Sequence, residues 1–199
     1  MSTGTAVSFR TKASSGEGGD YELPPAGSHP AILVGLVDLG TKDNTYNGKT
    51  SKRHKIMLIW ELTAESDSKG QNFVVAQDYT WSLNSKAALR VIVEGFRGRA
   101  MADDEEFDLS QMLAQPSMIS LSEGTSASGK KFMEVTGLSK PPRGLSVPPA
   151  THDSYVFHWG AIGSTKDDFE LPDWMPRLYG RMVADDLKAT DEYALLPAF

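Results

Sequence analysis

The chain has 199 residues and a mass of 21.7 kDa, which predicts one domain with appendages or at most two small domains. Its 40% hydrophobic and 23% charged residues are typical of a globular protein, and the absence of cysteine excludes a disulfide framework, a thiolate zinc site and a cysteine nucleophile. A net charge of -6 argues against a uniformly basic nucleic-acid coat, so the local arrangement of charge decides which partners fit.

The N-terminal region predicts neither a membrane span nor a secretion signal. The longest apolar stretch, Ala31 to Val37, is far shorter than the ~20 residues of a membrane span, and the first residues lack a basic flank and an apolar core. We therefore expect a cytoplasmic protein. Residues 1–22 are mostly small and polar and predict a flexible arm, and Leu23 to Gly27 mark the entry to the fold.

Three strands are predicted next. Aliphatic residues run from Ala31 to Leu39, where Gly35 indicates a bend or a bulge, and a polar loop is expected from Gly40 to Ser51. Period-two alternation then predicts two further strands, which complete an antiparallel meander. The faces defined by this alternation are Ile56, Leu58, Trp60 and Leu62 on the second strand, and Phe73, Val75, Gln77, Tyr79 and Trp81 on the third.

A helix and two strands follow the meander. Apolar residues at helical spacing predict an amphipathic helix from Ser85 to Phe96, with Asn84 or Ser85 as its N-cap. A short helix from Leu109 to Ala114 and strands from Met118 to Ser122 and from Lys131 to Leu138 complete residues 23–145. Five strands with a helix between the third and the fourth are the element order of a mainly-β OB-fold, a small Greek-key barrel.

The C-terminal region differs in composition from this domain. Beyond Gly144 the chain is proline-rich and irregular, and Asp173 to Leu187 predict a helix that starts near Pro172. Residues 146–188 are therefore expected to form a helical extension that packs on the barrel, and residues 189–199 a tail.

The sequence holds no convincing motif for catalysis or metal binding. Gly124 to Lys130 have the spacing of a phosphate-binding loop, but Lys131 replaces the magnesium-binding hydroxyl residue and a strand follows where the phosphates need a helix N-terminus. The four histidines lack metal-ligand spacing, and the adjacent acidic pairs lie in hydrophilic stretches typical of a solvated surface. We expect no enzyme activity, no metal and no cofactor.

Two basic clusters remain as candidate binding features. One holds five bases between Lys42 and Lys55 and the other surrounds Phe132. In an OB-fold the loops that carry them flank one face of the barrel, so we expect them to converge on a groove. Cations that follow phosphates and rings that stack on bases suit single-stranded nucleic acid. The predicted phosphate contacts are Lys49, Lys52, Arg53, Lys55, Lys130 and Lys131, and the predicted stacking residues are Tyr46, Tyr79, Trp81 and Phe132.

These residue types also have purely structural interpretations. Lysine and arginine on a loop often only solubilise it, so the binding hypothesis depends on the convergence of both clusters. Trp60 fits the barrel interior better than a binding surface and is left out of the site. Tyr79 and Trp81 fit a place in the core and a place in the groove equally well, because alternation alone does not show which face of a strand is buried.

Several segments resemble one known family. Similarity to tailed-phage OB-fold single-stranded DNA-binding proteins is found in Leu23 to Ala31, Asp38 to Thr41, Lys55 to Leu62, Gly129 to Val135 and Leu171 to Met175. The resemblance implies a phage replication or recombination accessory, in the host-cell cytoplasm, that coats single-stranded DNA without reading its sequence. OB barrels also bind other ligands, so the motifs are more specific for the family than for its activity.

The C-terminus has a second, weaker likeness. It resembles the acidic tail of bacterial single-strand binders, whose apolar tip ends in Pro-Phe and docks on partner enzymes. Here the acids are sparse and Ala198 separates the proline from the phenylalanine. The likeness implies a tip for replication or recombination proteins, formed by Leu195, Leu196, Pro197 and Phe199. A terminal element that docks on its own domain fits these residues equally well.

The sequence thus predicts a single-stranded DNA-binding protein built on one OB barrel. The alternative from another functional class is a phage structural or assembly protein that uses an OB-like barrel for protein–protein contacts.

Overall fold

The computed structural model describes residues 22–46, 48–126, 128–159 and 187–196. Nearly all of the predicted N-terminal arm, all but the last residue of the helix predicted at Asp173 to Leu187, and Pro197 and Phe199 of the predicted tip lie outside these ranges.

The described chain is mainly β and forms one open, largely antiparallel sheet with the strand order β3-β2-β1-β4-β5. A short strand, β6, pairs in parallel with residues 35–37 of β1. The strands are β1 (Gly27–Tyr46), β2 (Lys49–Ser66), β3 (Asn72–Thr80), β4 (Pro116–Thr125), β5 (Lys131–Ser139) and β6 (Tyr155–Phe157). Helix α1 (Ala88–Arg97) and a 3-10 turn (Leu109–Met112) lie between β3 and β4, and helix α2 (Asp191–Leu195) is the last described element.

The two faces of the sheet bury two separate apolar layers, as strand alternation requires. The inner core holds Trp60, Leu58 and Ile56 of β2 with Phe73, Val75 and Tyr79 of β3 and the apolar face of α1. Trp60 is fully buried, so its predicted place in the interior is confirmed. The outer core lies on the opposite face of β1 and β2, and its fully or nearly buried residues are Ile32, Val34, Val37, Leu39, Met57, Ile59, Phe157 and Leu187.

Strand β1 changes register twice along its length. The first shift falls between Leu33 and Gly35, as the glycine predicted, and a Cβ at position 35 would lie only 2.9 Å from Ile59 Cδ1. The second shift falls between Asp38 and Gly40, where Gly40 has a left-handed φ of 68°. With these bulges β1 pairs with β4 at its start, with β6 in its middle and with β2 along most of its length.

The polar loop expected from Gly40 to Ser51 is wrong, because this segment continues the β1–β2 ladder. Paired residues run from Gly40 opposite Lys55 to Tyr46 opposite Lys49, and the chain turns at Gly48, where φ is 73°. Residues 41–54, here called the basic hairpin, extend past the inner core, so they lack the apolar alternation that marks a half-buried strand.

Helix α1 begins three residues later than predicted. Ala87 is the N-cap and makes no side-chain capping hydrogen bond, whereas the Asn84 side chain accepts from the amide of Lys86 in the turn before the helix. The C-cap of α1 is Gly98, with a φ of 70°. Gly95 packs so closely on β5 that a Cβ there would overlap the carbonyl oxygen of Leu138. The predicted short helix is only the 3-10 turn.

Residues 147–159 cover the outer face of the sheet. Val147, Ala150 and Tyr155 pack on the outer core, and Glu61 of β2 fixes the segment. This fully buried carboxylate accepts hydrogen bonds from the Thr151 amide and hydroxyl at 2.8 Å and from the His152 amide at 2.9 Å. Burial alone would raise the pKa of Glu61, but these donors and Asn72 lower it to about 2.

Candidate nucleic-acid interface

The basic hairpin carries exposed cations on both of its faces. Lys49, Lys52 and Arg53 are exposed, and alternation along β2 places Lys52 on the same side as His54 and Ile56, with Arg53 on the other. The Lys52 ammonium pairs with Asp191 of α2, and this hydrogen bond raises the pKa of Lys52. Within the described residues no carboxylate pairs with Lys49 or Arg53, so the hairpin presents unbalanced positive charge.

Lys55 differs from the other predicted phosphate contacts. Its side chain is about one third exposed, and Nζ lies 2.6 Å from the Asp78 carboxylate of the neighbouring strand. The pair largely cancels the charge that Lys55 would offer to a phosphate.

The two aromatic residues at the end of β3 have different environments. Tyr79 is only 6% exposed in the inner core, where burial raises the pKa of its hydroxyl, so the predicted stacking role is corrected: its ring is not accessible to a base. Trp81 is 40% exposed because it lies just past the end of β3 and past the inner core. Both residues follow the same alternation, but the buried layer ends between them.

Trp81 lies against the basic hairpin. Its amide donates to the carbonyl oxygen of His54 at 2.8 Å, and the His54 imidazole meets the indole edge-on with ring centroids 5.1 Å apart. His158 approaches the indole in the same way at 6.2 Å. The exposed ring is therefore held between His54 and His158, on the side of β2 that carries Lys52.

A cavity of about 300 Å³ opens beside this ring and is called the Trp81 pocket here. Its lining includes Leu36 and Ile56 of the sheet, Phe107 and Ser110 before and within the 3-10 turn, and Val156 of β6. Asp38 is the buried acid in the lining, and its Oδ1 lies 2.5 Å from His54 Nε2 and accepts from the Gly40 amide at 2.9 Å. Sequence reasoning missed this pocket because Asp38 lies in an aliphatic run and His158 in a region without regular periodicity.

The second predicted cluster occupies the turn between β4 and β5. Lys130 and Lys131 are exposed, and Lys131 pairs with Glu123 at 2.9 Å. Phe132 is half-buried, and its ring lies over Gly124, where a Cβ would come within 2.6 Å of Cζ. The ring thus covers backbone of its own hairpin.

The structure does not bring the two predicted clusters into contact through the strand ladder. β4 pairs with the first residues of β1 and runs on past Gly27, whereas β2 pairs with β1 as far as Tyr46. The two hairpin tips therefore extend from opposite ends of β1. The residues that do come together are His54 and Trp81, and Lys52 lies on the same side of β2 as His54. Tyr46 ends β1, and its side chain lies outside the described part of the structure.

Helix α2 lies on the same hairpin. Glu192 accepts hydrogen bonds from the Thr41 amide and hydroxyl, both at 2.7 Å, and its Oε1 is 3.7 Å from His54 Nδ1. Burial would raise the pKa of Glu192, but the Thr41 donors lower it. The described part of the tail thus docks on its own domain, although Leu195 remains 84% exposed.

Neither a metal centre nor a spanning helix is present in the part of the chain that the structure describes. No three histidine or acidic side chains there are placed to hold a metal ion, and no helix there is long and apolar enough to cross a membrane. No family model and no curated protein matches this chain. The resemblance to phage single-strand binders therefore remains a prediction from its residues.

Proposed function

We propose that this protein binds single-stranded DNA through the basic hairpin and Trp81. The observation that carries the proposal is an exposed indole held directly beside a hairpin with exposed cations, Lys49, Lys52 and Arg53. Cations contact phosphates at any sequence, and every base has a face that stacks on an indole. Duplex DNA keeps its bases stacked inside, so an exposed ring favours the single strand.

The net charge of -6 is compatible with this function because the charges are segregated. Exposed cations lie on the hairpin, whereas acids dominate the loop from Asp103 to Asp108. A phosphate backbone would follow the hairpin, and the acidic loop would repel it where Phe107 and Asp108 reach the lining of the Trp81 pocket.

The proposal also assigns the sheet to an OB-fold. In the strand order β3-β2-β1-β4-β5, the end strands β3 and β5 approach each other, and α1 packs against both. These features support an OB-fold barrel closed between β3 and β5, with the helix at one end. A phage replication or recombination accessory is the role that the sequence resemblance supports.

A fluorescence titration tests the function. Oligo-dT should quench the tryptophan emission of the full-length protein, whereas duplex DNA of equal length should quench it much less. The matched variant is Trp81→Phe, which should lose the part of the quenching that comes from Trp81, whereas Trp60 is fully buried and cannot report on a surface ligand. Equal quenching by duplex, or quenching that survives Trp81→Phe unchanged, would contradict the proposal.

The basic hairpin also favours a second function, that of a phage structural or assembly protein. From Thr41 to Tyr46, β1 pairs only with β2 among the described strands, so the hairpin is an arm that could contact another protein. Self-association or recovery in purified virions, without any response to oligonucleotide, would select this function instead.

A further inference from the structure

The Trp81 pocket contains a buried carboxylate that the proposed phosphate contacts do not use. The Asp38 side chain is only 4% exposed, and its Oδ1 is occupied by the Gly40 amide and by His54. Its Oδ2 lies 3.8 Å from His158 Nε2, which is beyond hydrogen-bond distance. No donor among the described residues bonds to Oδ2, so one acceptor oxygen in the pocket lining is left for a ligand.

The rest of the pocket suits a flat ring. Its walls include the aliphatic side chains of Leu36, Ile56 and Val156 and the ring of Phe107, with Trp81 also in the lining. A volume of about 300 Å³ is at the lower end of the range for small-molecule pockets. Asp108 at the exposed rim also lines the pocket, and its carboxylate accepts from the Ser110 amide at 2.9 Å. Apolar walls around the remaining Asp38 oxygen match an apolar ring with a hydrogen-bond donor on its edge.

The pocket is next to the path that we propose for the phosphates. Ile56 lines the pocket, and alternation places His54 and Lys52 in succession on the same side of β2. A strand whose phosphates follow the hairpin cations therefore passes the pocket, within reach of one base turned away from its neighbours.

We propose that the Trp81 pocket takes one unstacked base of the bound strand and favours bases with an amino group over thymine. The inference rests on the proposed function and adds a base preference to it. The Asp38 carboxylate can accept from the amino group of cytosine, adenine or guanine. Thymine offers only a ring N–H between two carbonyl oxygens, and these oxygens repel a carboxylate.

The experiment compares short oligo-dT with the same oligomer in which one central thymine is replaced by cytosine. The wild-type protein should bind the cytosine oligomer about ten- to a hundredfold more tightly, the range expected for one added hydrogen bond to a charged acceptor. In Asp38→Asn the ratio of the two affinities should fall towards one, because the charged acceptor is lost.

A second variant covers the case in which Asp38→Asn does not fold. Val156 is 54% exposed and lines the pocket, so Val156→Trp should fill the pocket from its rim and also bring the ratio towards one. The matched control is Val91→Trp, because Val91 is 57% exposed on α1 and does not line the pocket. This control should keep the wild-type ratio.

Each failure has a distinct signature. Tight binding of both oligomers with equal affinity would overturn the base pocket and leave the proposed function standing. A cytosine preference that survives both pocket variants would also overturn it. Absence of any binding to either oligomer would overturn the proposed function and the pocket together.

Discussion

Glu61 and Thr151 are 90 positions apart in the sequence, and the Glu61 carboxylate accepts both the amide and the hydroxyl hydrogen of Thr151 at 2.8 Å. This contact fixes residues 147–159 over the outer face of β2 and β3. In the OB-fold that we propose, that face is the expected ligand surface. Part of it is covered by the chain itself, and the candidate site lies at the end of the sheet.

Removing the Glu61 charge should loosen this segment. Glu61→Gln replaces a buried acceptor of several donors, and we expect the free energy of unfolding to fall by about 2 kcal/mol. Chemical denaturation measures the change. Glu106→Gln, on the exposed loop, is the matched control and should have little effect.

The same carboxylate predicts a pH dependence. The pKa of Glu61 is about 2 in the folded protein and near its ordinary value of 4.5 in the unfolded chain. Its contribution to stability is therefore complete above about pH 4.5 and is lost as the pH falls towards 2. Unfolding curves at several pH values should show a smaller acid-induced loss in Glu61→Gln than in the wild type; identical losses would contradict the assignment.

The hairpin cations should control DNA affinity. Lys52→Ala with Arg53→Ala should weaken oligo-dT binding and reduce the log-log salt slope by about 0.7 for each lost phosphate contact. Lys130→Ala with Lys131→Ala is the comparison. Its oligo-dT affinity and salt slope should change less, since the two hairpin tips extend from opposite ends of β1. Unchanged affinity and slope in the first pair would remove the hairpin from the site.

Trp81 and Tyr79 should respond differently to substitution. Trp81→Ala should weaken oligo-dT binding by roughly 1–3 kcal/mol, as for loss of one stacked base. Tyr79→Phe should leave the affinity unchanged, because the Tyr79 ring is buried in the inner core. Titrations of both variants against the same oligomer make the comparison, and equal losses would contradict the assigned environments.

Helix α2 should compete with DNA for the hairpin. Asp191→Asn with Glu192→Gln removes the carboxylates that contact Lys52 and Thr41, so affinity for oligo-dT at low salt should rise a few-fold. The matched control is Glu123→Gln, which frees Lys131 of the other hairpin. Affinity that falls in the α2 variant would show that the helix supports the site instead.

Gly95→Ala tests the packing of α1 on β5. In an exposed helix this change stabilises by about 1 kcal/mol. Here the new methyl would overlap the Leu138 carbonyl oxygen, so we expect a net loss of about 2 kcal/mol in the free energy of unfolding. Val91→Ala, on the exposed side of α1, is the control, and thermal unfolding of both variants gives the comparison.

Alternation predicted the core strands well, because a strand with one face in the inner core must place apolar residues at every second position. It placed Trp60 correctly for that reason. It could not separate Tyr79 from Trp81, since both obey the same period and only the end of the core distinguishes them. The ladder from Gly40 to Lys55 was missed because paired backbone outside the core needs no apolar side chains.

The candidate site was predictable only in part. The exposed cations Lys49, Lys52 and Arg53 follow from composition, but the Trp81 pocket depends on contacts between distant segments. Asp38 reaches His54 across a bulge, and His158, which directly follows β6, reaches Trp81. No local pattern in the sequence encodes these contacts.

The second bulge of β1 has a mechanical consequence. In a regular strand Asp38 and Thr41, three residues apart, would point to opposite sides. The bulge absorbs the extra residue Leu39, so both side chains approach the two nitrogens of His54, at 2.5 and 3.3 Å. Contacts at both ring nitrogens thereby fix the His54 imidazole, and this holds the basic hairpin in one position relative to the Trp81 pocket. A DNA strand that contacts the basic hairpin and also fills the Trp81 pocket must span a fixed distance. The bulge therefore sets the minimum length of an oligomer that can reach both parts of the site.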